Sequence, residues 1–149
     1  MVHARHRPGD LSPFAVGLVT RQAHARATQV LVEALRPLGL ELRHFAVMIS
    51  LAEHGAVVQR DLAALSGTDK GTMVRVVDDL ERAGYAVRRS VAGDRRLAAV
   101  ELTEQGRSAF DAAHRAAAPL RDQLFAHMTR READELLRLL DKFTYPAPV

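Results

Sequence analysis

Residues 88–103 read Arg-Arg-Ser-Val-Ala-Gly-Asp-Arg-Arg-Leu-Ala-Ala-Val-Glu-Leu-Thr. Two runs with strand character, about Ala86–Val91 and Leu97–Leu102, flank Ala92-Gly93-Asp94, which has turn chemistry. The spacing predicts a short β-hairpin with arginine at its tip. Arg88, Arg89, Arg95 and Arg96 fall within nine positions and face only Asp94 in the sequence.

Upstream of the hairpin the apolar period changes from two to 3.6. A short helix is expected over Gln59–Leu65, then a turn at Ser66-Gly67. Thr68 or Asp69 then caps a helix that runs to Ala83 and stops at Gly84. In it Met73, Val76, Val77, Leu80 and Ala83 form a stripe for burial, while Gly71, Arg75, Asp78 and Arg82 lie opposite. Asp78 is expected to lie beyond any ligand contact or to pair with Arg75 or Arg82. A helix over Leu42–His54, with Phe45, Met48, Ile49 and Ala52 on one face and Gly55 after it, precedes this pair. Helix, turn, helix and cationic hairpin in that order are a helix-turn-helix with a β-wing.

Long helices flank this block. Ser12-Pro13 starts the first, with Leu11 and Val16 as a hydrophobic staple, and Pro37 stops it after Leu35 or Arg36. Thr103 caps another, kinked by Pro119 at a cost of about 3 kcal/mol. Thr129 and Glu132 form a capping box for the last, whose apolar face is Leu136, Leu137, Leu140 and Phe143. Residues 1–10 carry His3, Arg5, His6 and Arg7 with no apolar anchor and are expected to fray. The fold class is mainly α with a small β-wing. Residues 1–40 form an N-terminal arm and dimerisation helix, 41–102 the winged block, and 103–149 the C-terminal dimerisation helices. The flanking helices carry more apolar surface than one winged block can cover, and the simplest partner is a second copy.

The 149 residues are 48 % hydrophobic and 26 % charged, with a net charge of +3, in the range of a soluble globular chain. Residues 41–103 balance nine cations against nine anions, so any attraction for polyanions must be local. Nearly all the cations are arginine, which suits planar recognition of phosphates and bases. There is no cysteine, which removes disulfides, thiolate metal sites and thiol redox sensing. No apolar run spans a bilayer, and residues 1–10 lack the apolar core of a signal peptide, so the expected location is the cytoplasm, with no membrane partner.

With these elements in place, the chain resembles the MarR family of bacterial winged helix-turn-helix transcription regulators. The matching residues are Arg60-Asp61-Leu62-Ala63-Ala64-Leu65-Ser66-Gly67, then 69–85 from Asp69-Lys70-Gly71-Thr72 to Glu81-Arg82-Ala83-Gly84-Tyr85. The wing signature Asp94-Arg95-Arg96 and Leu102-Thr103-Glu104-Gln105-Gly106 completes the match. The resemblance implies a homodimer clasped by its N- and C-terminal helices. It further implies a near-palindromic operator in double-stranded DNA, usually bound for repression, and a small effector, often phenolic or otherwise aromatic. Within it, Arg96 corresponds to the arginine of the minor groove and Asp94 to the acid that orients it.

The residues add their own chemistry. A helix start beside DNA favours phosphate through its N–H groups. There Gly71 permits close approach, Thr72 and Thr68 offer hydroxyls, and Lys70 a point charge. Arg75, one turn deeper, is the candidate for reading a guanine edge in the major groove. Gln59 and Arg60 are candidates for the DNA backbone, and Arg95 for a phosphate beside the wing. For an effector the resemblance points to a crevice between the first, second and fifth helices, with candidates Arg21, His24, His44, Met48 and Phe110. The chain lacks tryptophan, typical of the urate-responsive branch, and the cysteine of the peroxide-sensing branch.

No cofactor or metal is expected, since the seven histidines are scattered without ligand spacing. An enzyme is not expected either. Gly67-Thr68-Asp69-Lys70-Gly71-Thr72 loosely resembles a phosphate loop, but it has Lys-Gly where Gly-Lys is needed and no strand before it. The rival reading is a winged-helix module for protein–protein assembly without specific DNA binding, because a fold alone does not dictate function.

Overall fold

The computed structural model describes residues 12–145, with the backbone but not the side chain of Arg95. The elements are α1 (Pro13–Leu35), a 3-10 turn (Arg36–Leu38), α2 (Leu42–His54), β1 (Val57–Val58), α3 (Gln59–Leu65) and α4 (Lys70–Arg82). They continue with β2 (Ala86–Val91), β3 (Asp94–Leu102), α5 (Glu104–Ala117), α6 (Leu120–Leu124) and α7 (Arg130–Thr144). The expected fold class is what the structure shows. The frayed arm and the staple partner Leu11 lie outside the described residues.

Helix boundaries follow local chemistry. Pro13 opens α1 where its missing N–H costs nothing. Asp69 caps α4 by accepting the Thr72 N–H, Thr103 caps α5 through Gly106, and Thr129 and Glu132 close a capping box on α7. Gly67, at φ 60°, makes the turn between α3 and α4.

Three expectations are corrected. Pro119 does more than kink its helix: α5 ends at Ala117 and a separate short α6 begins at Leu120. Proline supplies no N–H to continue the ladder, and the next strong cap is ten residues on, at Thr129. The buried face of α2 is His44, Val47, Met48 and Leu51, whereas Ile49 and Ala52 are exposed. This rotation lets α2 pack on α4 and β3 while it also meets α1 and α5. On α4, Met73, Val76, Val77 and Leu80 are buried, but Ala83 is an exposed C-cap.

The sheet has the order β1-β3-β2, all antiparallel. β1, two residues long, pairs Val57 with Val100 and Val58 with Ala99. Alternation cannot be read from two residues, and the sequence reading did not include this strand. β2 and β3 pair regularly from Ala86↔Leu102 to Ser90↔Ala98, then jump to Val91↔Asp94. The second strand therefore begins at Asp94 rather than Leu97, but residues 95–97 stand out of register as a bulge.

One core runs through the winged block. Leu62, Met73, Val76, Val77, Leu80, Ala86, Val100 and Leu102 meet Val47, Met48 and Leu51 of α2, and the cluster extends to Leu35 of α1 and Ala109 and Ala113 of α5. The outer helices are less covered. Phe14 is 89 %, Leu137 56 % and Phe143 63 % exposed. No helix among the described residues is long and apolar enough to cross a membrane.

His44 ties α2 to α4. Its Nδ1 accepts the Glu41 N–H at 2.9 Å, so the ring proton sits on Nε2, which donates to Asp79 Oδ2 at 3.1 Å. The hydrogen bond from His44, reinforced by Arg82, holds the Asp79 carboxyl below its ordinary value of 3.8. A depressed carboxyl stabilises the fold above that ordinary value, and the contribution drains away as pH falls through the depressed one. Asp79→Asn should therefore lower the melting temperature near neutrality, with the gap to wild type closing as pH falls below the ordinary carboxyl value of 3.8. Thermal unfolding across that range checks it; a gap that stays constant in acid rejects the assignment.

Candidate nucleic-acid interface

Charge pairing, more than charge count, decides which cations are left without a partner. Arg88 is not at the wing tip. Its guanidinium pairs with Asp78 Oδ1 at 2.7 Å and with Glu81, and its Nε donates to Gln59 Oε1 at 2.8 Å. Asp78 thus pairs with Arg88, not with Arg75 or Arg82, because β2 brings Arg88 against this face of α4. Arg82 pairs instead with Asp79 at 3.0 Å, and Arg89 with Glu101 across the strands. The four-arginine cluster of the sequence is therefore split: Arg88 and Arg89 are neutralised in the body of the hairpin.

Exposed cations held loosely or not at all by carboxylates stand at two places. At the wing tip, Gly93 takes φ 88° to turn the chain, and the bulge carries Arg96 out with its side chain 93 % exposed. Asp94 Oδ1 accepts the Arg96 N–H at 2.9 Å and lies 3.5 Å from its Nε. The Arg95 side chain lies outside the described residues. At the start of α4, Lys70, Gly71 and Arg75 are exposed and Thr72 is half-buried. Arg75 donates to Thr72 Oγ1 at 3.4 Å, and no carboxylate among the described residues pairs with it.

Hydrogen bonds donated by Thr72, first from its side chain and then from its backbone N–H, hold the Asp69 carboxyl below its ordinary value. This cap puts a negative charge at the helix start, which weakens the bare dipole as an anion site. The cations nearest this helix start are Lys70 and Arg60. They flank a groove of about 340 Å³ between α3 and α4, lined also by Gln59, Ala63, Met73 and Val74. Arg60 is held toward Asp61 at 3.1 Å. Thr68 turns its hydroxyl inward to Ser66 O at 3.2 Å, and Gln59 is engaged by Arg88.

The effector candidates differ in their surroundings. Arg21 and His24 are exposed on α1, His24 lying 3.4 Å from the Thr28 hydroxyl. His44 is 5 % exposed with both ring nitrogens engaged, and Met48 is fully buried. Phe110 belongs to an aromatic trio that the sequence reading did not assemble: its ring stacks on Phe45 at 5.2 Å, and His114 lies 4.5 Å from Phe110 and 5.4 Å from Phe45. Phe110 and His114, four apart on α5, form a helical pair, but their meeting with Phe45 of α2 depends on tertiary packing.

A family model described as MarR family matches residues 38–97. The HTH-type transcriptional regulator BilQ of Clostridium symbiosum is 30 % identical over 104 residues, 70 % of this chain and 72 % of that one. The chain belongs to the MarR family. Two solved structures share its fold. A mutant MarR from E. coli complexed with operator DNA has a TM-score of 0.79 at 25 % identity, over 87 % of this chain and 93 % of that chain. CouR from Rhodococcus jostii RHA1 bound to p-coumaroyl-CoA has a TM-score of 0.78 at 27 % identity, over 90 % and 94 %. As a MarR-family protein this chain is a DNA-binding transcriptional regulator, and the assembly-module reading is not favoured.

Proposed function

We propose that this regulator works as a homodimeric, ligand-responsive repressor of a near-palindromic operator. Each copy sets the start of α4 in a major groove and the Arg96 tip of its wing in the adjacent minor groove. The observation that carries the reading is the selective pairing of charge: Arg82, Arg88 and Arg89 each hold a carboxylate within 3.0 Å, whereas Lys70 and Arg75 have no carboxylate partner among the described residues and Arg96, held by Asp94 only at 3.5 Å, is 93 % exposed. Gly71 and Thr72 contact backbone, Lys70, Arg60 and Arg95 phosphate, and Arg75 a base edge, that of guanine. Gln59 and Thr68 serve the interface by holding their neighbours.

The exposed apolar residues on α1 and α7 support a dimer, which would bury them and set two recognition helices about 34–36 Å apart. In this reading 1–40 and 103–149 hold the copies together and 41–102 reads DNA. The trio of Phe45, Phe110 and His114 favours a flat aromatic effector near α1, α2 and α5, with Arg21 or His24 for an acidic group. The p-coumaroyl-CoA complex of CouR supports that ligand class. No catalytic role is assigned, and a cytoplasmic site of action follows from binding DNA.

The test is to select duplexes from a random library with purified protein, then titrate the enriched duplex in gel shifts. Affinity should fall steeply between about 50 and 200 mM salt. Arg75→Ala should change which duplexes are enriched as well as weaken binding about tenfold. Salt-independent binding, or no enrichment, rejects the proposal; a uniform loss over all sequences makes Arg75 a phosphate contact.

A further inference from the structure

We infer that Arg88 is a positioning residue for DNA binding, locking the wing to the recognition helix so that Arg96 and α4 enter neighbouring grooves together. The inference rests on the two-groove reading above. Arg88 makes five polar contacts. Its backbone N–H donates to Glu81 Oε1 at 2.9 Å, and its side chain reaches Glu81, Asp78 at 2.7 Å, Gln59 at 2.8 Å and Val74 O at 3.5 Å. One guanidinium thus joins β2 to α4 and to the first residue of α3. The side chain is 25 % exposed, so this pairing is partly withdrawn from water, unlike that of Arg89 at 68 %.

The geometry makes this a hinge lock. Beyond Arg88 the strand leaves the body of the domain: Arg89 and Ser90 are exposed, and the tip follows at Ala92–Gly93. Three residue steps along the strand lead from Arg88 to Val91, a lever of about 10 Å. A tilt of about 10° at Arg88 would move the tip by roughly 2 Å, more than a hydrogen bond tolerates. Lysine could not replace it, because a single ammonium cannot span acceptors on both sides of a planar fork. The contacts also consume Asp78 and Glu81, which would otherwise leave unpaired negative charge on the helix that approaches phosphate.

The experiment is a double-mutant cycle with Arg96 on the duplex selected by the wild-type protein. Arg88→Ala should weaken binding about tenfold in the wild-type background but less than about twofold in Arg96→Ala, because a tip without arginine has nothing left to place. Hydroxyl-radical footprints of Arg88→Ala should lose the flanking wing protection and keep the protection at α4, and Arg88→Lys should not restore it. A full tenfold loss in the Arg96→Ala background, or unchanged affinity in the wild-type background, overturns the inference and leaves the two-groove reading standing. If Arg96→Ala itself binds normally, the two-groove reading fails and takes the inference with it. Should Arg88→Ala not fold, Glu81→Gln, which leaves Asp78 and Gln59 in place, carries the same cycle under the same criterion.

Discussion

Gly106→Ala is expected to destabilise the protein by about 3 kcal/mol, near the top of the usual range for overpacking a core. In an open helix the same change would gain about 1 kcal/mol, because alanine is the better helix former. Here the sign reverses. A Cβ on Gly106 would sit 1.9 Å from the Tyr85 carbonyl oxygen and 2.8 Å from its carbon. Both are backbone atoms, so no side-chain rotation can relieve the clash. The carbonyl cannot easily withdraw, because it accepts the Thr103 N–H at 3.0 Å. Thr103 in turn accepts the Gly106 N–H at 2.9 Å and donates to Gly84 O at 2.6 Å. The first turn of α5 is thus pinned to the base of the wing, and the methyl group must break the cap or move β2. Tyr85 also donates its hydroxyl to Leu38 O at 3.2 Å, so displacement there reaches the turn between α1 and α2. Thermal unfolding should show a melting temperature lower by about 10 °C. A change within about 2 °C would mean that α5 slides freely over the wing base, contrary to the packing described.

How far the sequence could be read follows from how local each feature is. Caps are decided within four residues, so Thr103 and the Thr129–Glu132 box were legible, and Asp69 was one of two candidates. The stripe of Met73, Val76, Val77 and Leu80 repeats at helical spacing and could be read from period alone. The face of α2 could not, because Phe45, Met48, Ile49 and Ala52 and the observed His44, Val47, Met48 and Leu51 are rival stripes of one helix. Only the position of α4 and β3 decides between them. The same limit governs the site. Arg96 and Asp94 are neighbours in sequence, and their pairing is visible there. Arg88 and its partner Gln59 are 29 residues apart, so four arginines read as one patch until the fold pairs two of them elsewhere. On α4, Asp78 stands at helical spacing from both Arg75 and Arg82, three and four residues away, yet the strand β2 brings it Arg88 instead.

Arg96→Ala should weaken binding to the selected duplex at least about tenfold while leaving the fold intact. The two halves of this expectation have separate causes. The side chain is 93 % exposed and its contact with Asp94 is 3.5 Å long, so little folding energy depends on it. Exposed pairs of this kind contribute about 0–1 kcal/mol, and the melting temperature should move by no more than about 3 °C. In DNA the same guanidinium would enter a narrow, strongly negative groove, where arginine is favoured over other cations. The proposed dimer carries two tips, so a loss of only about 0.7 kcal/mol at each yields the tenfold effect. Asp94 sets how that charge is presented. By accepting the Arg96 N–H at 2.9 Å it orders the bulge before DNA arrives, which lowers the entropy that binding must overcome. Asp94→Asn keeps an acceptor but loses the charge beside Arg96, and should fall between wild type and Arg96→Ala. Gel-shift titrations of the three proteins on one duplex at one salt concentration decide the matter. Equal affinities would remove the wing from DNA recognition and leave α4 to supply it alone.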